Sequence, residues 1–287
     1  MNKLLHSGLL ETHAAVLLFG LAGLFGKLLD LPAWIIVLGR TAFATAALGA
    51  ALLIVRPRRL PREIGILLRF GLLGLVLVIH WATFFHAIQV SSVAVGLLAF
   101  STFPVFITWL EPWWFAEKRR PVDMVTAMLV VGGLGIMVFP LPVGGGRILY
   151  GVGWGTVSGF TFAVLSLLNR KWVRHYPPVV VAFYQNAAAT LLLLPVLAWY
   201  DGPIRSGQIG LLALLGVVCT ALSHALFIRG LTVVRAQLAS VIACLEPVYG
   251  IVFAFFLLHE IPPARTLVGG VLILATVLVA MNRRAVD

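Results

Sequence analysis

Residues 103–117, FPVFITWLEPWWFAE, and residues 246–260, EPVYGIVFAFFLLHE, match at spaced positions at a constant separation of 143 residues. Pro104 answers Pro247, Val105 answers Val248 and Glu117 answers Glu260. Upstream, Ala82/Ala225 and Phe84/Phe227 keep that separation. Pro32/Pro177, Ala42/Ala187 and Thr45/Thr190 align at 145, a shift of two that a small loop difference absorbs. The 287-residue chain therefore reads as two copies of one unit, 1–143 and 144–287.

Composition says what kind of unit it is. Sixty-one per cent of the residues are hydrophobic, 11% are charged, and the mean hydropathy is +1.05. So little polar surface cannot cover a water-soluble protein of this size, and the bilayer must be the solvent. Apolar runs of about 20 residues, the length that crosses a hydrocarbon core as a helix, are predicted near 12–29, 34–55, 65–87, 92–115, 122–139, 151–169, 178–199, 208–229, 235–258 and 264–281. They lack the apolar/polar alternation of barrel strands. The expected fold class is an all-α polytopic membrane protein with ten transmembrane helices. The first run follows Lys3, has no small-residue cleavage site and is closed by Lys27 and Asp30, so it reads as a helix and not a removed signal.

The net charge of +11 would suggest a nucleic-acid partner in a soluble chain, but here the cations sit mainly between spans. With a cytoplasmic N-terminus, inside segments hold Lys3, Arg56, Arg58, Arg59, Arg62, Lys118, Arg119, Arg120, Arg170, Lys171, Arg174, Arg229, Arg235, Arg283 and Arg284. Outside segments hold only Arg147, Arg205 and Arg265. This asymmetry predicts both termini on the cytoplasmic side. Five spans per half is an odd number, so the halves must be inverted. The charges agree: Gln89-Val90-Ser91-Ser92 is neutral where the equivalent connection carries Arg229 and Arg235, and Glu117-Lys118-Arg119-Arg120 is answered by Glu260-Ile261-Pro262-Pro263. A pseudo-two-fold axis in the membrane plane offers two conformations of similar energy, one open to each side, as alternating access requires.

In this setting Phe103-Pro104-Val105 with Glu117, Leu245-Glu246-Pro247-Val248 with His259-Glu260, Pro32 and Arg40 around the second helix, and Asn169-Arg170-Lys171 before Pro177 resemble the drug/metabolite transporter superfamily, in its ten-helix EamA-type branch. The resemblance covers nearly the whole chain. It implies a secondary exporter of the bacterial inner membrane for small metabolites: amino acids, aromatic or otherwise neutral, or related amphipathic compounds. A multidrug or cationic-compound exporter is the alternative within the family. The chain departs from the family pattern at Glu111-Pro112, at Trp113-Trp114, and in having His259-Glu260 where Gly-Glu is usual.

Candidate substrate-binding residues follow from depth and repeat position. Pro104 and Pro247 fall near the middle of their spans, where a proline frees a backbone carbonyl to line a cavity. Glu246 puts a carboxylate at mid-membrane depth, at a cost of several kcal/mol unless it is protonated, paired or wetted. It reads as a proton-titrating site, as a contact for a substrate ammonium or as a structural ion pair, with Arg40, His80 and His224 as candidate partners. His80, Trp81 and Phe84, together with His224 and Phe227, supply rings suited to apolar or cationic solutes. Phe100 and Tyr249 stand close to the two prolines. Cys219 and Cys244 have no paired spacing and read as apolar fillers. No zinc-protease, serine-nucleophile or Walker pattern is present, so neither an intramembrane enzyme nor ATP-driven transport is expected. No cofactor or metal is called for. The expected partners are a small-molecule substrate and the lipid bilayer, with proton coupling an open option, and the chain is expected to act as a monomer.

Overall fold

A computed structural model describes residues 3–57, 60–115, 121–139, 146–172, 176–231, 242–243 and 245–286. Its helices are α1 (Lys3–Leu28), α2 (Ala33–Val55), α3 (Ile64–Val90), α4 (Val93–Phe100), α5 (Phe103–Phe115), α6 (Pro121–Val138) and α7 (Gly146–Trp172). They are followed by α8 (Pro178–Leu193) with a 3-10 turn over Leu194–Trp199, and by α9 (Ser206–Gly216) with a π-turn over Val217–Leu222. The chain ends with α10 (Ser223–Leu231), α11 (Glu246–Leu258) and α12 (Ala264–Val286). Among the described residues seven helical stretches are long and apolar enough to span a membrane, and three shorter apolar helices, in α6, α11 and α12, take the remaining places of the ten. Among the described residues there is no strand. Glu117 with Lys118, Arg119 and Arg120, and also Arg58, Arg59, Arg174, Arg235 and Cys244, lie outside the described residues.

The repeat is visible in local geometry and in packing. Pro32 (φ −54°, ψ 144°) and Pro177 (φ −57°, ψ 138°) hold the same extended conformation just before α2 and α8, as a proline with a preset φ and no N–H can do at a helix start. Exchanging the halves maps the α3–α7 contact onto α1–α10, and α2–α8 and α6–α12 onto themselves. Thr45 and Thr190, repeat counterparts, meet each other at 3.5 Å, the relation required of a pair beside the pseudo-two-fold axis. The chain is thus a membrane protein of ten spans in two inverted halves.

Lipid tails are as apolar as the side chains, so packing and not water exclusion must hold these helices together. Small residues provide the approach. A β-carbon on Gly74 of α3 would lie 2.6 Å from Ala188 Cβ of α8, and one on Gly216 of α9 would lie 2.6 Å from the Arg40 carbonyl oxygen of α2. Gly74 and Gly216 are counterparts at a separation of 142, whereas Ala82 and Ala225 stand 143 apart. The π-turn between Gly216 and Ser223 accounts for the extra residue, because an i→i+5 turn takes up one more residue than an α-turn. Leu53, Ile54, Leu68, Val131, Leu191, Phe256 and Val271 are exposed on the outer surface, as a lipid-facing perimeter requires.

Candidate substrate site

The fourth span is broken. α4 ends at Phe100, Ser101 and Thr102 form a turn, and α5 begins at Phe103. The hydroxyls of Ser101 and Thr102 donate to the carbonyls of Leu97 (2.9 Å) and Ala99 (2.7 Å), so carbonyls at the end of α4 are satisfied locally. In the ninth span α11 starts at Glu246 after a turn at Leu245. Pro104 and Pro247 are therefore each the second residue of a new half-helix and do not kink a continuous one. The difference has a physical reason: in the first turn of a helix a proline forfeits no intrahelical bond. Residues 232–241, the first part of the predicted ninth span, are outside the described set.

Beside the break in the fourth span, α3 and α7 build an aromatic wall. His80 lies 5.4 Å from Phe100 and 5.1 Å from Phe162, ring centre to ring centre. Phe84 meets Phe100 edge-on at 5.6 Å, and Phe103 stacks on Phe100 at 5.3 Å and meets Phe162 at 5.0 Å. His80 is buried, and its Nδ1 stands 3.1 Å from the Ser158 carbonyl oxygen and 2.9 Å from the Ser158 hydroxyl, which reaches the His80 carbonyl at 3.1 Å. With the proton on Nδ1, both groups donate to each other's carbonyls and Nε2 is left as an acceptor.

On the opposite side Phe19 of α1 packs against His224 (5.5 Å) and Phe227 (5.8 Å) of α10. Phe19 and Phe162 are repeat counterparts at 143, as are Trp81 and His224. Neither phenylalanine stands out in its own span, yet applying the 143 separation to the residues around each break finds both. The Tyr249 hydroxyl is directed away from this cluster, to His13 Nδ1 of α1 at 3.2 Å.

Arg40 of α2 is the centre of the arrangement. It is 4% exposed, its Nε donates to Thr220 Oγ1 at 2.7 Å, and its guanidinium lies 3.8 Å above the centre of the Trp81 ring. The π-turn makes that bond available, since the Thr220 hydroxyl itself donates to the carbonyl of Leu215, five residues back, at 2.9 Å. His80, Cys219, His224 and Glu246 are all within electrostatic reach of the guanidinium. Among the described residues the Glu246 carboxylate has no hydrogen bond and no ion pair within 4.0 Å, so none of its expected partners, Arg40, His80 or His224, holds it directly. It occupies the first turn of α11, where the helix dipole favours a negative charge. The site is asymmetric: the counterpart of Glu246 is Phe103, and that of Arg40 is Gln185, which donates to Asn169 Oδ1 of α7.

At one end of the bundle, the amides of Val93 and Ala94, which open α4, donate to Glu260 Oε2 (3.1 Å) and Oε1 (3.3 Å). Lys27 Nζ donates to the carbonyls of Gln89 (3.2 Å) and Ser91 (3.0 Å) and interacts electrostatically with Glu260. A carboxylate of one half thus caps a helix of the other. The usual glycine before this glutamate also finds its reason, because His259 holds φ 55°, ψ 30°, a left-handed helix cap that glycine adopts without strain.

The sequence profile of the EamA-like transporter family matches twice, over residues 6–139 and 149–282. The chain belongs to that family. This EamA-like transporter is 29% identical to an uncharacterized transporter of Archaeoglobus fulgidus, over 69% of this chain and 71% of the relative. It is 27% identical to a protein of Rickettsia conorii named S-adenosylmethionine uptake transporter, over 74% of this chain and 73% of the relative. An uncharacterized transporter of Bacillus subtilis aligns over 94% of this chain and 88% of its own length at 22% identity. A solved crystal structure shares the fold, with a TM-score of 0.67 and 19% identity over 96% of this chain and 95% of the other.

Proposed function

We propose that this EamA-like transporter is a secondary carrier, not an enzyme, that exports amino acids, aromatic or otherwise neutral, or related amphipathic metabolites. Solute binds between the halves 1–143 and 144–287, around the breaks at Phe103 and Glu246, and rocking of the halves exposes it to each side in turn. The observation that carries this reading is the pair of half-helices starting inside the fourth and ninth spans, with aromatic rings, the buried Arg40 and the half-buried Glu246 gathered around them. Carriers place substrate where interrupted helices meet. His80, Trp81, Phe84, Phe100, Pro104, His224, Phe227, Glu246 and Pro247 line this region, and Tyr249 supports it through His13. The charge asymmetry of the connections supports cytoplasmic termini in a bacterial inner membrane, and the protein works as a monomer without a cofactor.

The experiment is counterflow in proteoliposomes: internal unlabelled amino acid should drive accumulation of external labelled amino acid, saturably, with and without a pH gradient. Absence of saturable counterflow with all twenty amino acids would overturn the reading. Uptake is the second reading of direction, favoured by the Rickettsia relative named an S-adenosylmethionine uptake transporter. S-Adenosylmethionine is itself an α-amino acid, so both readings ask for the same head-group chemistry.

A further inference from the structure

Two opposite charges, the buried Arg40 and the half-buried Glu246, lie within each other's field without forming an ion pair. Arg40 spends Nε on Thr220 and one face on Trp81, and among the described residues its two terminal amino groups make no hydrogen bond. With Nε anchored and the plane held against an indole, those two groups form a fixed fork with the geometry that grips a carboxylate through two parallel bonds. Among the described residues the Glu246 carboxylate has no partner either, and it lies beyond ion-pair distance of the fork while still within its field. A buried charge without hydrogen-bond partners is costly, and the cost is relieved when a ligand of opposite charge arrives.

We propose that Arg40 and Glu246 recognise the two ends of a zwitterion, the guanidinium taking the α-carboxylate and Glu246 the α-ammonium. The solute's side chain then lies along the rings of His80, Phe100, Phe103 and Phe162. This deepens the carrier reading given above and rests on it. It names the substrate class as free α-amino acids, with amines, deaminated acids and carboxamides excluded. Each singly charged analogue leaves one charge of the protein unmatched, and that penalty, not lost contact area, sets the discrimination. Gln185 at the position equivalent to Arg40 and Phe103 at the position equivalent to Glu246 give the site one polarity, so the zwitterion binds in one orientation.

The test uses the full chain in proteoliposomes. Counterflow of labelled L-phenylalanine and L-methionine is competed by L-phenylalanine, phenethylamine, 3-phenylpropanoate and L-phenylalaninamide. The three analogues should compete roughly 100-fold more weakly than the amino acid, the loss of about two charge-assisted hydrogen bonds. In direct binding to purified, monodisperse protein, read by calorimetry, Arg40→Gln should lose L-phenylalanine while phenethylamine changes by less than threefold. Glu246→Gln should do the converse with 3-phenylpropanoate, a reversal of preference that damage to the fold cannot produce. Phenethylamine competing as well as L-phenylalanine in the wild-type protein would overturn the zwitterion inference and leave the carrier reading standing. No counterflow of any labelled amino acid would overturn both.

Discussion

Replacing Glu260 by glutamine should open the end of the bundle that this residue closes. Its two oxygens accept from the Val93 and Ala94 amides at 3.1 and 3.3 Å, and Lys27, bonded to the carbonyls of Gln89 and Ser91, adds electrostatic attraction. A hydrogen bond to a charged group contributes about 1.5–3 kcal/mol when well sheltered. Here Lys27 is exposed and Glu260 half-buried, so solvent screening reduces the sum. Glutamine keeps one acceptor for one amide, loses the other, and loses the charge that favours a helix N-terminus. The net loss is about 1.5 kcal/mol, close to a tenfold rise in the open fraction. A cysteine at Ser101, buried in the break between α4 and α5, reports that fraction through its rate of modification by a membrane-impermeant thiol reagent in a background without Cys219 and Cys244. Glu260→Gln should raise the rate about tenfold, in keeping with that figure. A rate within twofold of the parent, in protein that remains folded and monodisperse, would refute the view that this bridge closes that end of the bundle.

His259→Gly should stabilise the protein by about 1 kcal/mol, because a non-glycine residue at φ 55° carries that strain, and melting in detergent should rise by about 2 °C. Gly159→Val should lower it, since a β-carbon there would sit 2.9 Å from the Phe100 carbonyl oxygen and 3.0 Å from Thr102 Oγ1, an overpacking cost of about 1–3 kcal/mol. Gly153→Ala, with nothing within 4 Å, is the matched control and should be neutral in the same melt. His80→Ala and Ser158→Ala should each cost about 1–3 kcal/mol by stranding a buried polar group. The double variant should cost less than their sum by about 1 kcal/mol, and additive values in the unfolding cycle would show that the two side chains are not coupled.

How much of this could be read in the sequence differs from residue to residue. Pro104 and Pro247 were recognisable as paired landmarks because the repeat preserves them. Whether each kinks a helix or starts one was not, since the residue type is compatible with both and the neighbouring helices decide where the backbone breaks. Glu246 could be singled out from its depth alone. Its separation from Arg40 beyond ion-pair distance could not, because that depends on where Arg40, 206 positions away in the chain, is held by Thr220 and Trp81.

Sequence by itself determined the ten apolar spans, the two copies and their inversion, because hydropathy, charge and self-similarity are local or periodic properties that survive without coordinates. Tertiary structure decided what those spans bring together: Phe19 with His224 and Phe227, Phe162 with His80 and Phe103, and Glu260 with the start of α4. Such contacts join segments far apart in the chain, and each is selected by the rotation and depth of packed helices. One sequence carries no distances to supply those.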